Sequence, residues 1–270
     1  MHHYQITIPI PENETRELLI AQLAELGYEG FEESEDELKA FIEEDSFIES
    51  SLKEIIELYS LSYLKSIIKK ENWNAVWEAN FEPVLVDHFV GIRAGFHEPL
   101  KDVEHEIIIT PKMSFGTGHH ATTYAVMQLM QEIDFQGKSV FDYGTGTGIL
   151  AILAEKLGAN HILAVDYDEW CVENASENIL INRCKYIDIQ QNNTAETVEQ
   201  FDIVIANINK NIILDNLVNL SKAAGKGAEI ILSGLLAEDE KDILTACKSL
   251  GWQHLKTVLR GTWIAIRLRA

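Results

Sequence analysis

The chain has few cysteines, and none of the long apolar runs that cross membranes. Its 270 residues include three cysteines, Cys171, Cys184 and Cys247, with no CxxC pair among them. This spacing predicts neither a zinc site nor a disulfide framework. The apolar stretches 107–109 and 149–153 are far shorter than the roughly 20 residues that span a bilayer. We therefore expect no transmembrane segment and no membrane partner.

The first ten residues, MHHYQITIPI, lack the basic start and apolar core of a signal peptide. They pass directly into a strand-like alternation of polar and apolar side chains. The sequence therefore predicts a cytoplasmic protein.

Basic residues are also scarce. Lys and Arg number 22 against 43 Asp and Glu, which gives a net charge of −21. Residues 1–60 hold 16 of the acidic side chains but only three basic ones, Arg16, Lys39 and Lys53. Such a surface repels a phosphate backbone, so we expect no direct nucleic-acid binding, and it attracts a basic partner. The simpler alternative is that the charge only maintains solubility.

The first 70 residues predict a small α+β domain. Apolar spacing indicates strands at 5–10, 30–33, 37–43 and 64–68 and helices at 13–26 and 51–61. This order predicts a ferredoxin-like unit. Residues 71–82, with Trp73 and Trp77 four apart, predict a helical linker that packs against a neighbouring domain.

Residues 83–270 predict a second domain of α/β class. Strand-like sequence at 83–90 and 106–110 is followed by strands that alternate with helices, which indicates a doubly wound, mostly parallel sheet. The expected strands are 139–143, 162–166, 187–190, 203–207 and 229–233, and the expected helices are 122–133, 149–157, 169–182, 212–223 and 238–250. Residues 253–259 and 262–269 predict a closing antiparallel hairpin.

A glycine-rich turn joins the first of these strands to its helix in FDYGTGTGILAILAEKLGA, residues 141–159. In a doubly wound sheet this turn approaches the ligand most closely. A dinucleotide fingerprint would need glycine at position 149, where this chain has Ile149. The spacing of Gly144, Gly146 and Gly148 is that usual in methyltransferases that use S-adenosylmethionine. A plain tight turn is the alternative.

Three polar residues end or flank the central strands. Asp166 ends the second strand, 22 positions after Gly144, where a carboxylate can bind ribose hydroxyls. Asp142 precedes the turn and is a candidate to orient the methionine amino group through water. Asn207 ends the fourth strand in IVIANINKNI, and its amide suits an amine substrate beside a sulfonium methyl group. A strand-end turn residue is the alternative for Asn207.

The segment TPKMSFGTGHHATT, residues 110–123, places glycines and the His119–His120 pair just before a helix start. A helix N-terminus favours negative groups such as the methionine carboxylate. Adjacent histidines rarely point at one ion and no third ligand is evident, so we expect no metal site.

Together, FGTGHHATT, the glycine turn, VDYD and VIANI resemble the bacterial methyltransferase of large-subunit ribosomal protein eleven, the PrmA family, over nearly the whole chain. The resemblance implies a class I fold with S-adenosylmethionine as cofactor and Asn207 as the catalytic residue. It implies cofactor contacts at Thr123, Gly144, Asp166 and Asn207, to which the flanking motif residues Phe115, Thr117, Gly118, His119, Thr145 and Gly146 are added.

The same resemblance implies methylation of the N-terminal α-amine and lysine side chains of that ribosomal protein. It also implies that residues 1–70 recognise the substrate and that the linker is a hinge. We expect the protein to be a monomer. Residues 208–211 depart from the Leu-Tyr or Leu-Ala pattern of the family.

The expected mechanism is direct transfer of the methyl group to a neutral amine, with His119 or His120 as candidate bases. Two alternatives stay open. One is a methyltransferase for nucleic-acid adenine or a small amine, although the former commonly carries Asn-Pro-Pro-Tyr where this chain has Ile208 after Asn207. The other is a non-catalytic protein that binds the nucleoside as a structural ligand.

Overall fold

The computed structural model describes residues 3–10, 13–34, 36–68, 81–112 and 118–270. The chain forms two compact units, residues 1–79 and 80–270. Nearly all of the predicted linker lies outside the described residues, as do Trp73 and Trp77. The domain boundaries at 70 and 82 stay a prediction.

The described residues of the first unit form an antiparallel sheet with two helices. Its elements are β1 (His3–Pro9), α1 (Asn13–Glu25), β2 (Gly30–Glu33), β3 (Glu37–Glu43), α2 (Glu49–Leu58) and β4 (Leu64–Ile68). The strands pair in the order β2-β3-β1-β4. Because strand side chains alternate between faces, Ile6, Ile8, Leu38 and Ala40 lie together in the core, where they are joined by Leu52 of α2. The order of elements is the one that the sequence predicted.

The second unit begins with a small sheet of β5 (Val84–Val86), β6 (Val90–Ala94) and β7 (His105–Ile109). The single strand predicted at 83–90 is wrong, because the chain turns back after Val86 and β5 pairs with β6 as a hairpin. Asp87 has a φ of 50°, a left-handed conformation that aspartate tolerates better than most residues. Its carboxylate accepts hydrogen bonds from Tyr124 Oη at 3.0 Å and Gln128 Nε2 at 3.1 Å, which hold the turn.

The large sheet confirms the predicted doubly wound architecture. Its strands are β8 (Ser139–Tyr143), β9 (His161–Asp166), β10 (Ile187–Gln191), β11 (Phe201–Asn207), β12 (Ala224–Leu236), β13 (Gln253–Arg260) and β14 (Trp263–Arg269). They lie in the order β10-β9-β8-β11-β12-β14-β13. The first five are parallel, and the terminal hairpin pairs antiparallel to β12, as predicted.

Five helices cover both faces of this sheet. They are α3 (Ala121–Met130), α4 (Ile149–Lys156), α5 (Glu169–Ile181), α6 (Lys210–Ala223) and α7 (Glu240–Ser249). Neighbouring residues of β8 enter opposite cores, since Val140 packs with α3 and α4 whereas Phe141 packs with α6 and α7. Because helices cover both faces of the sheet, we expect a ligand to bind at the carboxyl ends of the parallel strands. Within the described ranges, no helix is both long and apolar enough to cross a membrane.

Candidate active site

The glycine turn follows β8 at the carboxyl edge of the sheet. Gly144, Gly146 and Gly148 all have positive φ, at 77°, 56° and 78°, which residues with a side chain rarely adopt. The backbone N–H groups of Gly144 and Thr145 donate to the carbonyl of Val165, at 2.9 and 3.0 Å. The turn is therefore fixed to the end of the neighbouring strand β9.

Asp166 lies where the sequence placed it, at the end of β9, and only 6% of its surface is exposed. Its Oδ2 accepts a hydrogen bond from Gly146 N at 2.8 Å, and its Oδ1 accepts one from Asp168 N at 3.1 Å. Each carboxylate oxygen has two lone pairs. Both oxygens can therefore accept a further hydrogen bond from a ribose hydroxyl.

Asp142 is buried directly beneath the turn. Its Oδ2 accepts a hydrogen bond from Thr145 Oγ1 at 2.6 Å, whereas its Oδ1 is buried without a hydrogen-bond partner. Burial and the nearby Asp166 carboxylate raise the pKa of Asp142 to about 7, against the lowering effect of the Thr145 hydroxyl. The backbone N–H of Ala151 also lowers this pKa, but less than the Thr145 hydroxyl does. It is not a hydrogen-bond partner of Asp142 Oδ1, which has none. An unpaired carboxylate oxygen of this kind attracts a cation.

Asn207 ends β11, on the other side of β8 from Asp166. Its Nδ2 donates to Thr123 Oγ1 at 3.3 Å, which connects β11 with the first turn of α3. Its Oδ1 is buried and has no hydrogen-bond partner. Leaving a buried acceptor unpaired costs free energy that a bound N–H group would restore. The Asn207 oxygen is thus an acceptor whose hydrogen bond is unused.

The segment before α3 is described from Gly118 onward, so the predicted contacts Phe115 and Thr117 lie outside the described residues. Gly118 has a φ of 90°, and a Cβ there would lie 2.5 Å from Ile92 Cδ1. The exposed His119 has its Nε2 3.0 Å from the carbonyl oxygen of Glu82, and its ring packs edge-on against Phe81.

His120 is the N-cap of α3. Its Nδ1 accepts a hydrogen bond from Thr122 N at 3.3 Å and lies 2.7 Å from Thr122 Oγ1. The Nδ1 lone pair is therefore engaged with Thr122 at the start of the helix. His120 thus caps α3, and its role as a candidate base stays a prediction.

The order β9-β8-β11 brings Asp166, the glycine turn and Asn207 to one edge, and Thr123 joins them through its bond to Asn207. Thr145 turns its hydroxyl inward to Asp142. Ile208, which sequence reasoning treated as a departure from the family, packs over Gly144. The only signal for this contact was its position directly after Asn207.

The other departing residues stabilise two loops beside the site. Asn209 is the N-cap of α6 and accepts a hydrogen bond from Ile212 N at 3.1 Å. Lys210 forms ion pairs with Asp239 at 2.9 Å and Asp242 at 2.7 Å. The loop after β11 is thereby joined to the segment after β12.

These residues fit the charged half of S-adenosylmethionine. Its ammonium group and hydroxyls are donors, and the site presents two buried acceptors without partners, Asp142 Oδ1 and Asn207 Oδ1. The positive-φ glycines leave backbone open to close approach.

A separate cavity of about 560 Å³ lies at the opposite edge of the sheet. Its lining includes the first residues of β11 and β12 together with Lys138, Glu229 and Arg269. It is therefore remote from the strand ends that carry the candidate site.

Comparison with known proteins gives one consistent family. The family model described as ribosomal protein L11 methyltransferase (PrmA) matches residues 8–270. A ribosomal protein L11 methyltransferase of Porphyromonas gingivalis is 40% identical over 260 residues, covering 93% of this chain and 89% of the relative. One from Phocaeicola vulgatus is 37% identical over 277 residues, covering 99% of each chain.

Among solved structures, a ribosomal protein L11 methylase from Lactobacillus delbrueckii subsp. bulgaricus matches with a TM-score of 0.65 and 28% identity. The match covers 70% of this chain and 98% of that one. The likeness extends from the sequence to the three-dimensional fold.

Proposed function

This chain belongs to the ribosomal protein L11 methyltransferase (PrmA) family, and from that premise we propose that it methylates the N-terminal α-amine and lysine side chains of L11. Its class is a protein methyltransferase that uses S-adenosylmethionine. One observation supports an amine substrate most directly, which is the buried and unpaired Oδ1 of Asn207 at the carboxyl edge of the sheet.

When bound, S-adenosylmethionine supplies an electrophilic methyl group on a positively charged sulfur. Asp166 would hold the ribose, the turn at Gly144 and Gly146 would approach the methionine part, and Asp142 would attract its ammonium. Thr123 would fix the orientation of the Asn207 amide through their 3.3 Å hydrogen bond. Phe115, Thr117, Gly118 and His119 stay predicted contacts.

The substrate amine must be neutral, since a lysine with a pKa of about 10.4 is protonated near neutral pH. Its proton leaves to water before the amine reaches the carboxyl edge of the sheet. Asn207 Oδ1 then accepts one of the remaining N–H groups, which aims the nitrogen lone pair away from the amide. The side chains therefore contribute positioning and exclusion of water, without a covalent intermediate.

Charge supports the choice of a basic protein partner over nucleic acid. The net charge is −21, and residues 1–60 hold 16 acidic against three basic side chains. We assign substrate recognition to residues 1–70 on this basis, and we expect a monomer that acts in the cytoplasm, where its ribosomal substrate is made.

The test is methyl transfer from labelled S-adenosylmethionine to unmethylated L11, with the label located by mass spectrometry. Label on the α-amine and lysines is expected, and Asn207→Ala should lower kcat by about 100-fold. The matched control is Asn211→Ala, an exposed asparagine in the first turn of α6, which should leave kcat unchanged.

Label on a different protein or a small amine would retain the enzyme class but contradict the substrate. Cofactor binding without transfer to any amine would favour the non-catalytic alternative.

A further inference from the structure

Helix α5 presents a row of asparagines to the interior. Asn174 and Asn178 are four residues apart and so lie on one side of α5. Asn182, four residues further on, is the C-cap of the helix on the same side. Asn174 and Asn178 are both 0% exposed. A buried amide is tolerated only when its donors and acceptors are bonded, so the partners of this row have structural consequences.

All three asparagines cover the open edge at the end of β7, where Asn174 Nδ2 donates to the carbonyl oxygen of Thr110 at 3.4 Å. Asn182 pairs with both polar groups of Ile108, accepting from its N at 3.0 Å and donating to its carbonyl at 2.6 Å. Asn178 Oδ1 accepts from Thr110 N at 2.7 Å. The asparagine side chains thus bond to the backbone groups of residues 108 and 110, which would otherwise need a further strand as their partner.

Asn178 has a second set of contacts on the opposite side of its amide. Its Nδ2 donates to the carbonyl oxygen of Thr147 at 2.9 Å, within the glycine turn, and to Asn174 Oδ1 at 2.8 Å. The partners fix the orientation of the amide, because the Thr110 N–H can only donate and the Thr147 carbonyl can only accept. One side chain therefore connects two segments of the candidate site.

The helix also touches the turn directly. A Cβ on Gly148 would lie 3.2 Å from the Cβ of Ala175, one turn before Asn178. The distance between α5 and the glycine turn is consequently set by close packing as well as by the hydrogen bond to Thr147.

We propose that Asn178 is a positioning residue of the cofactor site. It fixes the end of β7 relative to the turn at Gly144–Gly148. It acts through Thr110 and Thr147 and does not itself contact the cofactor. The inference rests on the cofactor site proposed above, because the turn at Gly144–Gly148 carries its expected contacts.

The experiment compares Asn178→Ala with Asn182→Ala. Both substitutions leave polar groups of the β7 edge unpaired and should lower the melting temperature. Only Asn178→Ala should also release the turn, so it should weaken S-adenosylmethionine binding about tenfold by calorimetry, whereas Asn182→Ala stays within about twofold of wild type. Equal dissociation constants for the two folded variants would overturn the proposal.

A second measurement needs no cofactor. In the ligand-free protein, the amides of residues 144–148 should exchange with deuterium faster in Asn178→Ala than in Asn182→Ala. This comparison still decides the role of Asn178 if the wild-type protein does not bind S-adenosylmethionine, an outcome that would contradict the proposed function instead.

Should Asn178→Ala fail to fold, Asn174→Ala is the milder change. It removes the oxygen that Asn178 Nδ2 contacts at 2.8 Å, together with the 3.4 Å bond from Asn174 Nδ2 to the carbonyl oxygen of Thr110. The bonds of Asn178 to Thr110 N and to the Thr147 carbonyl remain. The expected loss in cofactor affinity is about threefold, with faster exchange in the turn. Unchanged affinity and unchanged exchange in this variant would count against the proposal.

Discussion

The side chain of Ile208 occupies the space that a Cβ on Gly144 would need. The nearest atom is Ile208 Cγ2, and the carbonyl oxygen of Ile208 in turn fills the space beside Gly234 in β12. Ile208 therefore lies between two positive-φ glycines, at 77° and 82°. The glycine turn, the end of β11 and the irregular part of β12 form one packed unit.

This packing predicts that Gly144→Ala damages the site more than its backbone conformation alone would. A residue with a side chain at positive φ costs about 1–2 kcal/mol, and here the new methyl group also displaces Ile208. We expect at least a tenfold loss of S-adenosylmethionine affinity, measured by calorimetry.

The control is Gly137→Ala, which has a φ of 68° and open space around the added Cβ. It should lose stability without losing cofactor affinity. Adding Ile208→Ala to Gly144→Ala should restore part of the affinity by removing the collision. No restoration would mean that backbone conformation alone requires the glycine.

The buried carboxyl of Asp142 predicts an unusual dependence of stability on pH. Its pKa rises from 3.8 to about 7 on folding, chiefly through burial. Between these values the folded chain binds more protons than the unfolded chain, so the free energy of unfolding from this group falls as pH rises. Above pH 7 the carboxylate is charged in both the folded and the unfolded chain, and the full free-energy cost of burying its charge is present.

Asp142→Asn removes that penalty. In the absence of cofactor the variant should be more stable than wild type at pH 8, by at most about 4 kcal/mol, and close to wild type at pH 4. Urea unfolding at both pH values measures the difference. Because the ionised carboxylate attracts an ammonium group, the same variant should bind S-adenosylmethionine more weakly.

Asp202 provides the opposite sign as a control. The backbone N–H of Ser139 holds the pKa of Asp202 below its ordinary value. Asp202→Asn should therefore lose stability relative to wild type at neutral pH, and the loss should shrink in acid. The same trend with pH in both variants would contradict the assignment for Asp142.

The ion pair between Arg93 and Glu106 predicts a large local contribution to stability. Arg93 Nε and Nη2 donate to the two carboxylate oxygens at 2.8 and 3.0 Å, and the arginine is 7% exposed. Arg93→Ala removes the cation, leaves Glu106 the hydrogen bond from Leu100 N at 2.7 Å, and should cost about 3 kcal/mol of unfolding free energy. The exposed Lys112 pairs with Glu177 at 2.7 Å, and Lys112→Ala should cost less than about 1 kcal/mol. Equal losses would contradict the argument from burial.

Much of the fold was predictable because local patterns and tertiary packing agree. Strands Glu37–Glu43 and Ser139–Tyr143 lie at the predicted residues, since apolar alternation and buried runs marked them directly. The hairpin at Asp87 was not predictable, because its turn has no glycine or asparagine and is held by side chains of α3. β12 also extends well beyond the predicted 229–233, to Ala224–Leu236.

The candidate site, too, was predictable from the sequence in part. Sheet order places Gly144, Asp166 and Asn207 at one edge, so strand-end positions alone were informative. The contacts between side chains were not visible in the sequence. Asn178 bonds to Thr110 across 68 residues, and its only trace was asparagine at every fourth position of a predicted helix.

The hydrogen bond from Asn207 to Thr123 predicts that these two residues act as one unit in catalysis. Thr123→Val removes the accepting hydroxyl with little change in volume and leaves the Asn207 amide less well oriented. At saturating cofactor, kcat should fall about tenfold. Thr122→Val is the matched control, since that buried hydroxyl contacts His120 instead.

The decisive variant combines both changes. If Thr123 works through Asn207, the double variant Thr123→Val/Asn207→Ala has the same kcat as Asn207→Ala alone, because the orientation of a missing amide no longer matters. If the loss of kcat in the double variant is instead the product of the two single losses, Thr123 contacts the reacting groups independently of Asn207. The affinity for S-adenosylmethionine is measured in the same variants. A direct contact of Thr123 with the methionine part would lower this affinity whether residue 207 is asparagine or alanine, and would leave the comparison of kcat values unchanged.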